Sequence, residues 1–224
     1  MFLDRADAGR QLALALSRHA DTPGGLVVAL PRGGIIIGYE VSRALRLPLE
    51  VFIVRKIGYP GNPECACAAL AETGVLKLTE ESHDILGVTN DYLDRCVGEQ
   101  REEIQYRTML YRGGLSMPPV EGRTLFLVDD GLATGATFGA AIHALQQLKP
   151  SRLVGAVPVA PPETVQRLRP LLSELVVLEI PEYFHAVGES YQDFKQVEDE
   201  QVVRLLRTAR NNPHKASNLR DHPT

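Results

Sequence analysis

Two adjacent carboxylates, Asp129 and Asp130, are the residues of this sequence whose surroundings best suit chemistry. They follow the apolar run Thr124–Val128, which is typical of a strand buried on both faces of a parallel sheet. Residues 131–137 are mostly small or carry hydroxyls, and a helical pattern follows them. Backbone N–H groups at the start of such a helix can bind a phosphate, while sugar hydroxyls can donate hydrogen bonds to the carboxylates. The stretch therefore predicts a site for a phosphorylated sugar.

A second strand, loop and helix unit lies earlier in the chain. Residues 26–30 are apolar, the loop PRGG follows, and residues 35–47 have helical periodicity. Arg32 can supply a cation, and Gly33 and Gly34 allow a ligand to approach the backbone closely. An arginine before two glycines is also typical of a plain surface turn. Its place one unit before the acidic pair favours a ligand-binding loop.

A third charged segment, residues 55–64 with the sequence RKIGYPGNPE, follows an apolar run at residues 49–54. Adjacent cations, glycines, prolines and a carboxylate suit a mobile loop that carries charge. A solvated turn is the alternative. Two short runs, residues 66–72 and 75–78, predict a hairpin through a Thr-Gly turn beside this loop.

These segments need a scaffold, and the apolar pattern predicts one. Strands are expected at residues 26–30, 49–54, 124–128, 152–159 and 175–180, and helices at residues 6–20, 35–47, 90–110, 138–148, 162–171 and 197–209. Right-handed crossovers then give an α/β fold with a doubly wound, mostly parallel five-stranded sheet and flanking helices. Ligands bind such sheets at the carboxyl ends of the strands, where the three loops are expected.

Residues 125–137, LFLVDDGLATGAT, resemble the phosphoribosyl pyrophosphate (PRPP) motif of type I phosphoribosyltransferases. That motif has four apolar residues, two acidic residues, two mostly apolar residues, and then small and hydroxyl residues around a glycine. The departure is Gly131, where the family usually has an aliphatic residue. PRGG resembles the short form of the family's pyrophosphate loop. Residues 55–64 resemble the segment that leads into the flexible catalytic loop of adenine phosphoribosyltransferases.

The resemblance implies transfer of a phosphoribosyl group from PRPP to a nitrogenous, nucleobase-like acceptor, with release of pyrophosphate and with Mg²⁺ as cofactor. It gives catalytic roles to Arg32, Lys56 and Glu64: the cations neutralise pyrophosphate, and the carboxylate relays a proton from the acceptor. Mg²⁺ is expected to arrive with PRPP, with Asp129 and Asp130 as the side chains nearest to it. The PRPP-binding residues implied are Arg32, Gly33, Gly34, Arg55, Lys56, Asp129, Asp130, Ala133, Thr134, Gly135, Ala136 and Thr137.

Two further implications concern the acceptor and the alternatives. At the position of Ala133, enzymes for 6-oxopurines typically have an aspartate and adenine enzymes an alanine, which implies that hypoxanthine and guanine are poor acceptors. A regulator that binds PRPP or a nucleotide on the same fold without turnover is the alternative function. A Rossmann protein for a nucleotide sugar or NAD is disfavoured, because the sequence has no G-x-G-x-x-G fingerprint.

Composition sets the remaining expectations. A net charge of −4 and a pI near 5.9 give no electrostatic reason to bind nucleic acid or an anionic membrane. Three cysteines without a disulfide-framework spacing, and a charged N-terminus, predict a cytoplasmic protein. The resemblance implies one phosphoribosyltransferase-like domain at residues 1–210, with an aromatic-rich hood near residues 181–196. Residues 211–224 are polar and are expected to form a disordered tail. A homodimer is left open.

Overall fold

The computed structural model describes residues 1–79 and 88–211, except for the side chains of Pro63 and Glu64. In chain order the elements are α1 (Arg5–Ala15), β1 (Leu26–Ala29), α2 (Gly34–Leu45), β2 (Leu49–Val51), β3 (Val54–Tyr59), β4 (Asn62–Ala71), β5 (Leu76–Leu78), α3 (Asn90–Arg112), β6 (Thr124–Val128), α4 (Ala136–Gln147), β7 (Arg152–Val159), α5 (Pro162–Leu168), β8 (Glu174–Glu179) and α6 (Asp199–Arg210). Short 3-10 turns follow α1 and α5, and another occupies Val187–Ser190.

The main sheet has five parallel strands in the order β2, β1, β6, β7, β8. The chain winds outward in both directions from the adjacent strands β1 and β6, which creates a crevice at their carboxyl ends. Side chains of these strands alternate between two cores: Val27 and Phe126 pack with α1, α2 and α6, whereas Val28 and Leu127 pack with α4 and α5. The expected doubly wound α/β fold is confirmed.

The segment at residues 55–64 corrects the sequence interpretation, because it forms a hairpin and not an irregular loop. The strand β3 begins at Val54 and pairs antiparallel with β4, and β5 completes a second, three-stranded sheet. In β3, Ile57 and Tyr59 are buried, and the tight turn between β3 and β4 contains Gly61 with φ +79°. The Pro-Gly pair that resembled loop composition is therefore a hairpin turn. The predicted strand 49–54 is divided between β2 and β3.

Other boundaries shift by a few residues. The first and fifth helices are shorter than the predicted ranges, because each ends in a 3-10 turn. The hairpin predicted through Thr73 and Gly74 is present, with β4 extended at its start. Of the predicted tail, residues 212–224 lie outside the described part of the chain. In residues 1–79 and 88–211, no helix is both long enough and apolar enough to cross a membrane.

Candidate active site

The acidic pair and the PRGG loop meet at the carboxyl ends of the neighbouring strands β1 and β6. A Cβ atom at Gly33 would lie 1.8 Å from Asp130 Oδ2, and one at Gly34 would lie 3.0 Å from Asp129 Oδ1. Each glycine therefore provides the space that one carboxylate occupies. Arg32, in the same loop, is partly exposed and reaches Glu198 just before α6, with 3.6 Å between Nη1 and Oε2.

The Asp129 carboxyl is held in an unfavourable environment for a charge. Its Oδ1 accepts a hydrogen bond from the Asp130 backbone N–H at 2.9 Å. Burial, and after it the negative charge of Asp130, raises the pKa of Asp129 well above its usual range. A ligand that donates hydrogen bonds or carries positive charge would stabilise the ionised form.

Arg5, on the first helix, is a site residue that the sequence interpretation missed. Its Nε donates to Asp130 Oδ2 at 2.6 Å, and the two side chains are only 9% and 16% exposed. The same guanidinium donates to the Lys195 carbonyl at 2.7 Å and lies over the Phe194 ring, 3.7 Å from its centroid. Arg5 therefore ties α1 and the predicted hood to the acidic pair.

The predicted hood lies against the same pair. The Tyr191 hydroxyl donates to the Asp130 carbonyl at 2.5 Å, and its ring stacks on Phe194 with 4.9 Å between centroids. Burial raises the pKa of this tyrosine, so the hydroxyl remains a donor. Tyr183, by contrast, is 88% exposed and lies outside the aromatic cluster.

The glycine that departs from the family motif has a structural reason. A Cβ atom at Gly131 would lie 2.5 Å from Val187 Cγ1 of the hood and 2.9 Å from Val159 Cγ1. The residue also has φ +155°. An aliphatic side chain at this position would therefore displace the hood from the end of β6.

The predicted phosphate loop precedes α4 and is open to solvent on one side. Ala133 and Thr134 are exposed, and Gly135 takes a left-handed conformation with φ +67° before the helix begins at Ala136. The fifth helix holds the loop from behind: the Thr164 hydroxyl donates to the Ala133 carbonyl at 2.7 Å, and Arg167 donates to the Thr134 carbonyl. Backbone N–H groups at the start of a helix suit a phosphate, and that of Ala136 makes only a long hydrogen bond of 3.5 Å to the Thr134 hydroxyl. Thr137 lies in the first turn of the helix.

The two adjacent cations of the hairpin do not face the same way. Neighbours in a strand project to opposite faces. Arg55 lies on the face packed against α3, where its Nε donates to Gln100 Oε1 at 3.1 Å. Lys56 is exposed and pairs in register with Ala69, on the face that packs against α4. The side chain of Glu64 lies outside the described residues, so its predicted role stays a prediction.

The structure thus brings the acidic pair, the PRGG loop and the α4 loop to one end of the sheet, while the hairpin separates Arg55 from Lys56. In the described part of the chain, no three His, Cys, Asp or Glu side chains form a group that could hold a metal ion. Two carboxylates fit a Mg²⁺ ion that takes most of its oxygen ligands from a bound phosphate and water. A cation there would also favour ionisation of Asp129.

Comparisons with known proteins agree with this architecture. A family model described as the phosphoribosyl transferase domain matches residues 3–193. The crystal structure of the protein TT1426 from Thermus thermophilus shares 43% sequence identity, covers 92% of this chain and 97% of that one, and superposes with a TM-score of 0.76. Two Mycobacterium tuberculosis proteins, from strains CDC 1551 and H37Rv and provisionally named phosphoribosyl transferases, are 38% identical over 206 residues. That alignment covers 92% of this chain and 46% of each relative, so the chain spans about half the length of the curated relatives it matches.

Proposed function

The chain belongs to the phosphoribosyl transferase domain family, and on that premise we propose that it transfers a 5-phosphoribosyl group from PRPP to a nucleobase-like acceptor and releases pyrophosphate. The observation that carries the proposal is the meeting of the acidic pair with the PRGG loop, beside the open start of α4. This arrangement offers carboxylates for sugar hydroxyls, backbone N–H groups for the 5′-phosphate, and a cation for pyrophosphate.

In the proposed complex, the ribose hydroxyls donate hydrogen bonds to Asp129 and Asp130. The raised pKa of Asp129 supports this role, since two donors would relieve the cost of a buried charge beside another carboxylate. Arg5 donates a hydrogen bond to Asp130 Oδ2 and so fixes the orientation of this carboxylate. The residues at 134–137 bind the 5′-phosphate through backbone N–H groups and the hydroxyls of Thr134 and Thr137.

Breaking the bond between ribose C1 and the pyrophosphate oxygen leaves positive charge on the sugar and negative charge on the leaving group. Catalysis therefore depends on cations around pyrophosphate more than on a strong nucleophile. We assign this task to Arg32, which pairs with the largely exposed carboxylate of Glu198, and to Lys56. Mg²⁺ bound to the pyrophosphate, near Asp129 and Asp130, would supply further positive charge. Glu64 would accept a proton from the acceptor nitrogen.

One observation favours the alternative function, a regulator that binds PRPP without turnover. Because Arg55 and Lys56 face opposite sides of the hairpin, the two cations cannot bind the same pyrophosphate in this conformation. A catalytic complex that used both would need a movement of the hairpin. The presence of Arg32, Lys56 and Glu64 favours the enzyme.

A direct assay separates the two functions. Pyrophosphate release is measured with PRPP, Mg²⁺ and each member of a nucleobase panel, with a control lacking acceptor. We expect release that depends on one class of base, with hypoxanthine and guanine poor because Ala133 offers no carboxylate. Efficient turnover of either 6-oxopurine would contradict the acceptor assignment. PRPP binding without release for any acceptor would support the regulator.

A further inference from the structure

The third helix carries a polar stripe that contacts the β3–β4 hairpin at one end and the start of α6 at the other, and that the proposed function does not use. Gln100, Glu103, Arg107 and Tyr111 are three or four residues apart and so share one side of α3. At one end, Gln100 accepts a hydrogen bond from Arg55 of β3. At the other end, the Tyr111 hydroxyl donates to an Asp199 carboxylate oxygen at the start of α6.

Three arginines lie on this stripe or beside its ends. Glu198, next to Asp199 in the chain, pairs with Arg32 in the PRGG loop, so one end of the stripe adjoins a proposed pyrophosphate ligand. The other end adjoins Arg55, one of the PRPP-binding residues that the resemblance implies. Arg107 lies between these ends. Its side chain is only 12% exposed, and its Nε donates to Glu103 Oε1 at 2.7 Å. Burial, and after it the positive charge of Arg107, lowers the pKa of Arg55, and Arg32 contributes in the same direction.

The positive charges of Arg107 and Arg32 disfavour the charged form of Arg55, so these partly buried guanidinium groups repel one another. Among the described residues, Glu103 pairs with Arg107, Glu198 pairs with Arg32, and Asp199 accepts a hydrogen bond from Tyr111. Two of these are partly or largely exposed, Glu103 at 36% and Glu198 at 61%, so each can turn into water at small cost. Arg32 and Arg107 can thus exchange these exposed carboxylates for the oxygens of a multivalent anion.

We propose that Arg107 is an additional ligand for the pyrophosphate group of PRPP, together with Arg32, and that Glu103 occupies its guanidinium until pyrophosphate binds. The inference rests on the proposed function. The planar guanidinium can donate two parallel hydrogen bonds to phosphate oxygens, which a lysine at this position could not do.

Calorimetric titration with Mg²⁺-pyrophosphate tests this assignment, with ribose 5-phosphate as a second ligand that needs the loop before α4 but not the stripe. Arg107→Met should weaken pyrophosphate binding about 10- to 100-fold, as expected for loss of a charge-assisted hydrogen bond, and leave ribose 5-phosphate affinity unchanged. Glu103→Gln should strengthen pyrophosphate binding about 2- to 5-fold, because an exposed competitor is removed. Arg101→Met is the matched control, since Arg101 is an exposed arginine of the same helix, and should bind both ligands like wild type.

The Arg107→Met and Glu103→Gln variants show whether Arg107 binds pyrophosphate or only forms a structural ion pair with Glu103. If Arg107 only stabilises the helix through Glu103, both substitutions lower the melting temperature and neither changes pyrophosphate affinity, which would overturn the inference while the proposed function stands. If Arg107→Met does not fold, the direction of the Glu103→Gln effect decides the question. Failure of wild type to bind ribose 5-phosphate and pyrophosphate would instead overturn the proposed function, and the inference with it.

Discussion

Replacing Arg5 by glutamine should destabilise the ligand-free protein substantially, although the residue lies far in sequence from the site that it joins. The substitution leaves Asp130, only 16% exposed, without its cation and removes the hydrogen bond to the Lys195 carbonyl and the stacking on Phe194. Breaking a buried ion pair costs about 3–5 kcal/mol. The remaining exposure places this pair at the lower end, about 3 kcal/mol.

For a domain of this size, each kcal/mol lowers the melting temperature by about 2–4 °C, so the expected decrease is about 6–12 °C in differential scanning calorimetry at pH 7. Arg10→Gln is the control, because Arg10 lies on the same helix, is half exposed and pairs with Asp7 at 3.5 Å. Its loss should shift the midpoint by no more than about 2 °C. Adding Asp130→Asn to Arg5→Gln should restore part of the lost stability, because the uncompensated charge is removed. A decrease for Arg5→Gln no larger than the control's would refute the reasoning.

Three further predictions concern the site. Because the pKa of Asp129 is raised in the folded state, ionisation of this carboxyl opposes folding. Asp129→Asn should therefore raise the melting temperature at pH 7. The gain should vanish at about pH 3, where the Asp129 carboxyl is protonated in both the folded and the unfolded wild-type protein. Gly131→Ala should cost about 1–3 kcal/mol of unfolding free energy in denaturant titrations, and Val187→Ala should recover part of it, since the new methyl group would meet that valine. Lys56→Ala and Glu64→Ala should each lower the rate of pyrophosphate formation and leave PRPP affinity nearly unchanged. The decrease should be about 10²–10⁴-fold for Glu64→Ala, which removes the proposed proton relay. Wild-type turnover in both variants would remove the hairpin from the mechanism.

The strands of the main sheet could be predicted from the sequence, because they are short, continuous apolar runs. The central strand Thr124–Val128 matches its predicted bounds, and Arg152–Val159 does as well. The sequence did not predict strand β3 of the β3–β4 hairpin. An exposed Lys56 and a half-buried Arg55 interrupt its apolar residues, and the Pro-Gly turn that follows it resembles a loop. There, pairing with the alanine-rich strand β4 decides the structure, and that pairing leaves little trace in local composition.

Within the candidate site, the acidic pair, the glycine loop and the small-residue loop could be identified from the sequence, because each depends on residue types that are adjacent in the chain. Arg5 could not, since its contact with Asp130 spans 125 residues. A usable signal was present, however: Arg5 continues the buried stripe of Ala8 and Leu12 on the first helix. A cation in an apolar stripe requires a buried partner.

The central claim is that Asp129 and Asp130 bind the ribose of PRPP, and isothermal titration of PRPP with Mg²⁺ into wild type and the Asp129→Asn, Asp130→Asn double variant tests it most directly. Circular dichroism and a thermal melt establish first that the double variant is folded. The account predicts that wild type binds PRPP and that the double variant binds it roughly 2–4 kcal/mol more weakly, because two charge-assisted acceptors are lost. Equal PRPP affinity in a folded double variant would contradict the account.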